Sequence, residues 1–233
     1  MKIALFGVTG IQPGRCNIKD PRLDQADKLV EAKKKAYAQV DVVDDSETLT
    51  ADAILTTRAA LADLLTKDLD FVEARLGRNP EPAEKVVLEK LADAFISERT
   101  VFEQGLTAEE LATVAAHNFH SNKPVIVAEE AELQAPDALL VRAFTEGGWI
   151  SFFTVGGKEN RAWPIRRGTA AWDAAGTIHT DIQKGFIRAE IISFADFIEC
   201  GGETEAKRAG KQRLELKTYI MQDCDVVNFR FNK

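Results

Sequence analysis

From Trp149 to its C-terminus the chain reads as one complete small domain, and no other stretch limits the possible folds so tightly. Trp149–Gly156 (WISFFTVG) is an apolar run of aromatic and β-branched residues. Arg161–Gly168 (RAWPIRRG) follows across a Gly157-Lys158-Glu159-Asn160 turn, a pattern that predicts a hairpin. Thr169–Ile182 carries small residues at helical spacing, and Phe186–Glu199 has a longer strand pattern. Tyr219–Asn232 predicts a closing hairpin that turns at Asp223-Cys224-Asp225. Strand, strand, helix, strand and closing strands make a mixed sheet folded over one helix, a β-grasp.

The preceding residues have a different rhythm. Lys2–Val8 (KIALFGV) is an apolar run ending at a glycine, as in a buried parallel strand. Gly7–Gly14 (GVTGIQPG) follows. A phosphate-cradling loop reads GxxxxGK[ST], with backbone amides and a lysine on the phosphates. Counted from Gly7, the second glycine falls at Gln12 and the lysine at Pro13; counted from Gly10, Arg15 stands where glycine belongs. Proline offers neither a cation nor an N–H. Two readings follow, a tight turn or a vestigial phosphate loop using Gly7 and Gly10.

Asp20-Pro21 predicts a helix start, with Leu23, Ala26, Leu29 and Val30 on its apolar face and Lys33, Lys34 and Lys35 at a solvated helix end. Ala38–Asp45 (AQVDVVDD) predicts a second buried strand, and Ala51–Thr57 a third that could also begin a helix. Leu61, Leu64, Leu65, Leu69, Val72 and Leu76 recur at three- and four-residue spacing, a coiled-coil-like seam closed by Gly77 and Asn79-Pro80. From Pro82, Val87, Leu88, Leu91 and Phe95 mark a second helix, antiparallel to the first and projecting with it as a hairpin. Thr107 and Glu110 form a capping box, Lys123–Glu130 a parallel strand, and Asp137–Gly148 a helix leading into the last domain. His117 and His120 have no further metal ligands nearby in sequence, so no metal site is expected.

The net charge of −7 argues against wholesale electrostatic capture by nucleic acid or membrane. It is unevenly spread: residues 151–233 hold 13 Lys and Arg against 11 Asp and Glu, leaving 17 against 26 before them. Cys16, Cys200 and Cys224 form no CxxC pair, so neither a disulfide framework nor a zinc site is expected. No apolar run reaches membrane-spanning length and the N-terminus lacks a signal-peptide pattern; a cytoplasmic protein is expected.

The segments ISFFTVG, RAWPIRRGT, AAGTIHTDIQKGFIRAEI and AGKQRLELKTYIMQDCDVVNFRFN resemble the TGS domain of the YchF/Obg-like ATPase family, across almost the whole C-terminal domain. Trp172 and Cys224 depart from the pattern; Cys224 stands in place of a turn glycine, and cysteine tolerates positive φ poorly. DPRLD (Asp20–Asp24), FVEARLGR and the Leu106–Leu133 segment resemble other parts of the family. The resemblance implies a deletion of the nucleotide-binding helix and first switch. Asp44 corresponds to a magnesium-holding aspartate but runs into DSET without the switch glycine, and Glu129 and Glu130 stand where an adenine-reading Asn belongs.

The expected fold is therefore α/β plus α+β: a reduced parallel P-loop NTPase-like remnant (residues 1–58 and 106–147), an antiparallel helical hairpin (59–105) and a TGS-like β-grasp domain (148–233). Phosphoryl transfer depends on positioning and charge stabilisation by the missing parts, so no catalytic residue is expected. The first expectation is a non-catalytic binding protein without cofactor, acting on ribosome or structured RNA as the resemblance implies. Its candidate contacts are Arg161, Arg166, Arg167, Trp172, His179, Lys184, Arg188, Lys211 and Arg213. The alternatives are a residual ATP- or GTP-binding protein with magnesium, using Gly7, Gly10 and Asp44, or an interaction partner that competes with a full-length relative. A homodimer through an exposed sheet edge is a further expectation.

Overall fold

A computed structural model describes residues 1–232; Lys233, the end of the predicted C-terminal domain, lies outside them. In chain order the elements are β1 (Lys2–Phe6), β2 (Gly14–Ile18), α1 (Pro21–Leu29), β3 (Lys34–Ala36), β4 (Ala38–Val43), β5 (Ala53–Thr57), α2 (Arg58–Leu76), α3 (Pro82–Ile96), α4 (Ala108–Thr113), β6 (Val125–Ala128), α5 (Pro136–Glu146), β7 (Trp149–Thr154), β8 (Glu159–Arg166), α6 (Ala171–Ile178), α7 (Thr180–Lys184), β9 (Phe186–Ile192), α8 (Phe194–Cys200), α9 (Glu203–Arg208), β10 (Arg213–Glu215) and β11 (Val226–Phe231). They divide into two compact units. The first comprises Met1–Cys16 and Val40–Gly147, the second Asn17–Gln39 and Gly148–Lys233. Residues 17–39, expected with the α/β layer, thus lie with the C-terminal domain.

The five-stranded sheet has the order β2-β4-β1-β5-β6, with β1 parallel to β4 and β5, and β5 parallel to β6. Ile3, Ala4, Leu5 and Phe6 are all buried, because β1 is central and covered on both faces. On one face Ala4, Phe6 and Ile54 pack against Leu64 of α2. That face turns polar toward β4 and β2. Expected to be buried throughout, β4 instead alternates: Ala38, Val40 and Val42 are buried, Gln39 and Asp41 exposed. Arg15 pairs with Asp41 at 3.3 Å, and Gln39 donates to Asn17 at 3.0 Å. This strip is exposed, in keeping with its hydrophilic side chains.

The α2 and α3 helices share a core of Leu61, Leu65, Val72, Val87, Leu88, Leu91 and Phe95. Val125 and Val127 of β6 pack against the same core, so the hairpin is anchored on the sheet. Glu84, buried at the start of α3, accepts from the Arg75 guanidinium at 2.7 and 2.8 Å and lies 2.8 Å from His117 Nε2. The predicted capping box is present at Thr107 and Glu110.

In the second unit the sheet order is β10-β9-β11-β7-β8-β3. The β7–β8 hairpin forms over six residue pairs, from Trp149↔Arg166 to Thr154↔Arg161. Ile150, Phe152, Ile165, Ala189, Ile191, Val227 and Phe229 meet Ala171, Ala174 and Ala175 of α6 in one core. Small residues bring that helix close; burying each large apolar side chain contributes about 1.5–3 kcal/mol.

Several expectations fail for identifiable reasons. The Lys33–Lys35 stretch is no helix end: α1 stops at Leu29, and Lys34–Ala36 pairs in parallel with Glu159–Arg161. The predicted helix over Thr169–Ile182 is split at His179, which adopts an extended backbone and caps α7 by accepting from Asp181 N–H at 3.1 Å. The long strand pattern after Phe186 stops at Ile192, where Ser193 caps α8 by accepting from Asp196 N–H at 3.1 Å. The closing hairpin does not form. Ile220 bridges to Ala170, and β11 runs antiparallel to β9 and parallel to β7.

Arg75 first, then His117, holds the Glu84 carboxyl down at about 2, against an ordinary value of 4.5. A depressed carboxylate contributes stability that is complete above its unfolded pKa and is lost as pH falls through the folded one. Urea denaturation of wild type and Arg75→Met is therefore expected to show a stability gap that closes between about pH 4.5 and about 2. A gap of constant size across that window would show that Arg75 acts through packing alone.

Candidate functional site

Gly7, at the end of β1, has φ +67°, and a Cβ there would stand 2.2 Å from Ala60 Cβ. The glycine is thus required by the close approach of the first turn of α2. Past it the chain enters β2 at Gly14, where a phosphate loop would open a helix. Helix N-termini grip phosphate because several free amides and the dipole's positive end converge there. Here the element after the loop is an edge strand, so the amides of residues 8–13 have no helix to organise them. Gly10 is likewise left-handed, at φ +88°, and a Cβ there would meet nothing within 4 Å.

Asp44, at the end of β4, acts as a cap. It accepts from the backbone N–H of Ser46 at 3.0 Å and from the Ser46 hydroxyl, and the hydroxyl bond leads in holding its carboxyl below the usual range. Glu129 donates its N–H to Glu132 at 2.9 Å, and Arg142 reaches Val127 O at 2.6 Å. Sequence reading missed two lysines in this unit. Lys67 lies over the Phe6 ring, 4.6 Å from its centroid. Lys123 donates to the carbonyls of Thr48 and Leu49 at 2.7 and 2.8 Å, and burial lowers its pKa. His120 Nδ1 sits 2.8 Å from Thr48 Oγ1, so it joins the same short connection between β4 and β5.

In the C-terminal unit the candidate RNA contacts divide between the two faces of the sheet, since directly opposed residues share a face. Arg161 stacks over Trp163, 4.7 Å from its ring centroid, on the α6 side. Arg213 also lies on that side, across from buried Ile191, and donates to Glu215 at 3.2 Å. Trp172, 42% exposed in the first turn of α6, and His179 and Lys184 of the α6–α7 layer complete it. Arg166 lies on the other face, over the Trp149 ring at 4.9 Å, and is followed by exposed Arg167. Arg188 shares that other face. Lys211 is occupied by Asp196 at 2.9 Å, which raises its pKa.

Arg230 was missed. It stands in register opposite Arg188 and pairs with Glu190, which also accepts from Asn228 at 2.6 Å. Burial pushes the Glu190 carboxyl up, but Arg230 and Asn228 outweigh it and hold the group below its ordinary value. The alternation Val227-Asn228-Phe229-Arg230 was the available signal, since it places Asn228 and Arg230 together opposite the core residues.

The family model YchF-GTPase_C, described as a protein of unknown function (DUF933), matches residues 149–232. The ribosome-binding ATPase YchF of Haemophilus influenzae is 58% identical over 82 residues, which cover 35% of this chain and 23% of that protein. The ribosome-binding ATPase YchF of Bacillus subtilis is 29% identical over a 259-residue alignment covering 83% of this chain and 68% of that protein. The solved YchF GTPase of Schizosaccharomyces pombe has the same fold, with a TM-score of 0.75 at 18% identity, covering 99% of this chain and 97% of that one.

The close approach at Gly7 makes a direct prediction. Gly7→Ala is expected to lose at least about 1–2 kcal/mol, from left-handed strain plus the collision with Ala60. In a double-mutant cycle read by urea denaturation, Ala60→Gly should recover the collision's share. No loss in the single variant would remove the packing role of this glycine.

Proposed function

This chain belongs to the YchF family and is shorter than its full-length members, and from that premise we propose that it is a non-catalytic, ribosome-associated binding protein acting through its TGS-like domain. The observation that carries this reading is the element after β1. A strand follows the loop at Gly14, at the place where a helix start would converge amides on a triphosphate. The metal-side carboxylate of the family pattern, Asp44, is engaged as a turn cap. The strip of the sheet beside β4 and β2 is polar, with Arg15, Asn17, Gln39 and Asp41 in place of apolar residues awaiting a helix. All three observations favour a sheet adapted to standing without nucleotide machinery.

The ribosome enters through the relatives, which are named as ribosome-binding ATPases. In this chain the matching residues form the β-grasp unit, where guanidinium–aromatic pairs occupy both faces: Arg161 with Trp163, and Arg166 with Trp149. Arginines stacked on rings present donors to phosphate while keeping a planar surface for bases. Trp172, exposed and unmatched in the family pattern, adds a stacking platform beside Lys217, whose carbonyl accepts from Trp172 N–H at 3.1 Å. We place the docking surface on this unit and assign the α/β unit a scaffolding role.

Titration calorimetry with ATP and GTP, each with magnesium, is expected to give no binding tighter than about 10 μM. Tighter binding or measurable turnover would overturn the non-catalytic assignment. Co-sedimentation with ribosomes at rising salt is expected to show pelleting at low salt that weakens steeply as salt rises, and that the Arg166→Glu, Arg167→Glu pair largely abolishes. Absence of wild-type pelleting at low salt would remove the ribosome.

A further inference from the structure

The β-grasp sheet contains a strand edge with no strand beside it. β11 and β9 pair in one register from Val226↔Ile192 to Arg230↔Arg188, with a shift before Phe231↔Phe186, but β11 and β7 share one pair, Val226↔Phe153. Beyond that pair β7 ends and the chain turns away through Gly156 and Gly157, at φ +102° and +71°, with open space where a Cβ would stand at either. Among the described residues, therefore, β11 from Val227 to Phe231 has no in-register partner on the side that faces β7.

A cavity of about 470 Å³ runs along this edge. Its lining comes from both faces of β11. Val227 and Phe229 join Ile178 and Ile182 on the helix side, while Asn228 joins Glu190 and Ile192 on the other. A pocket resting on one face would draw from alternate residues only. A second space of about 210 Å³ shares Val155, Gly156 and Glu203 with the first, so the opening continues past the β7–β8 loop.

We propose that the β11 edge receives an extended segment of a protein partner in which apolar and basic residues alternate. Backbone groups along an unpaired strand edge are satisfied by another extended chain, and the side chains of that chain then fall alternately on the two faces. On the helix side they meet Ile178, Ile182 and Phe229, which suit apolar residues. On the other side the charged residues lining the cavity, Glu190 and Glu203, are both acidic. Glu190 is engaged by Arg230 and Asn228. Glu203 Oε1 accepts from Lys207 Nζ at 2.6 Å and the side chain stays 37% exposed, so its carboxylate can meet an incoming lysine or arginine. The residues proposed to meet the ribosome, the outer arginines and Trp172, do not line this cavity.

The test is an amide chemical-shift titration of the full chain with a peptide of roughly six residues alternating valine and lysine. A valine–glutamate peptide and an oligouridylate of similar length serve as comparisons. The valine–lysine peptide is expected to move the amides of residues 154–157 and 226–231, and to bind about tenfold more tightly than its acidic counterpart. Glu203→Lys should reverse that preference and Glu203→Gln should level it, with dispersion of the remaining signals confirming the fold in each. Shifts confined to other residues, no shifts, equal binding of both peptides by wild type, or tighter binding of the oligouridylate at the same amides would each overturn the proposal.

Discussion

The guanidinium of Arg22 holds together a unit that the chain builds from two distant pieces. Asp20, 5% exposed, caps α1 by accepting from Arg22 N–H at 2.9 Å, and pairs through both oxygens with the Arg22 side chain. The same guanidinium reaches Asp223, 2.7 Å away and 201 residues on. Asp223 in turn accepts from Ser151 N–H, which ties the clamp to β7. A second fastening sits at the other end of α1. Asn160, fully buried, donates to Asp27 and to the Val30 carbonyl, each at 2.6 Å, and accepts from Gly156 N–H at 2.8 Å. Losing one partner of such a cluster leaves a buried charge or amide uncompensated, so the groups stand or fall together.

The clamp also accounts for Cys224. Its φ is +61°, which a residue with a Cβ adopts at a cost, and the thiol is wholly buried, with burial pushing its pKa up. The turn keeps the shape that a glycine would take. On one side Asp223 is held by Arg22 and Ser151. On the other Asp225 accepts from Gln222 N–H and from Tyr219, and the Cys224 N–H donates to Ser151 O at 2.7 Å. The neighbours over-determine the backbone, so the strain is tolerated.

A sheet face without a helix must either be wet or be covered. In the five-stranded sheet α2 covers Ala4, Phe6 and Ile54, and the remaining strip is wet, built from charged and amide side chains paired with one another. In the β-grasp sheet the α6–α7 layer covers one face through three alanines. The same rule explains both arrangements: side-chain polarity follows what lies against each face. It also explains the departure at β4, whose alternation of buried and exposed residues is visible in Ala38-Gln39-Val40-Asp41-Val42 once one of its faces is taken as exposed.

The local chemistry was legible without a structure. The β7–β8 hairpin, the Asp20 helix start, the Thr107–Glu110 box and the two apolar helices all follow from short-range pattern, because caps, turns and periodic faces depend on residues a few positions apart. The resemblance of residues 149–232 to a known domain was equally plain, since it rests on contiguous segments. What the sequence could not disclose was long-range pairing. That Lys34–Ala36 would become a strand beside β8, that Arg22 would find Asp223, and that β11 would join β9 and not its chain neighbour are choices among partners far apart in the chain. They are decided when tertiary packing matches a buried donor to a buried acceptor, and no local pattern records which match is made.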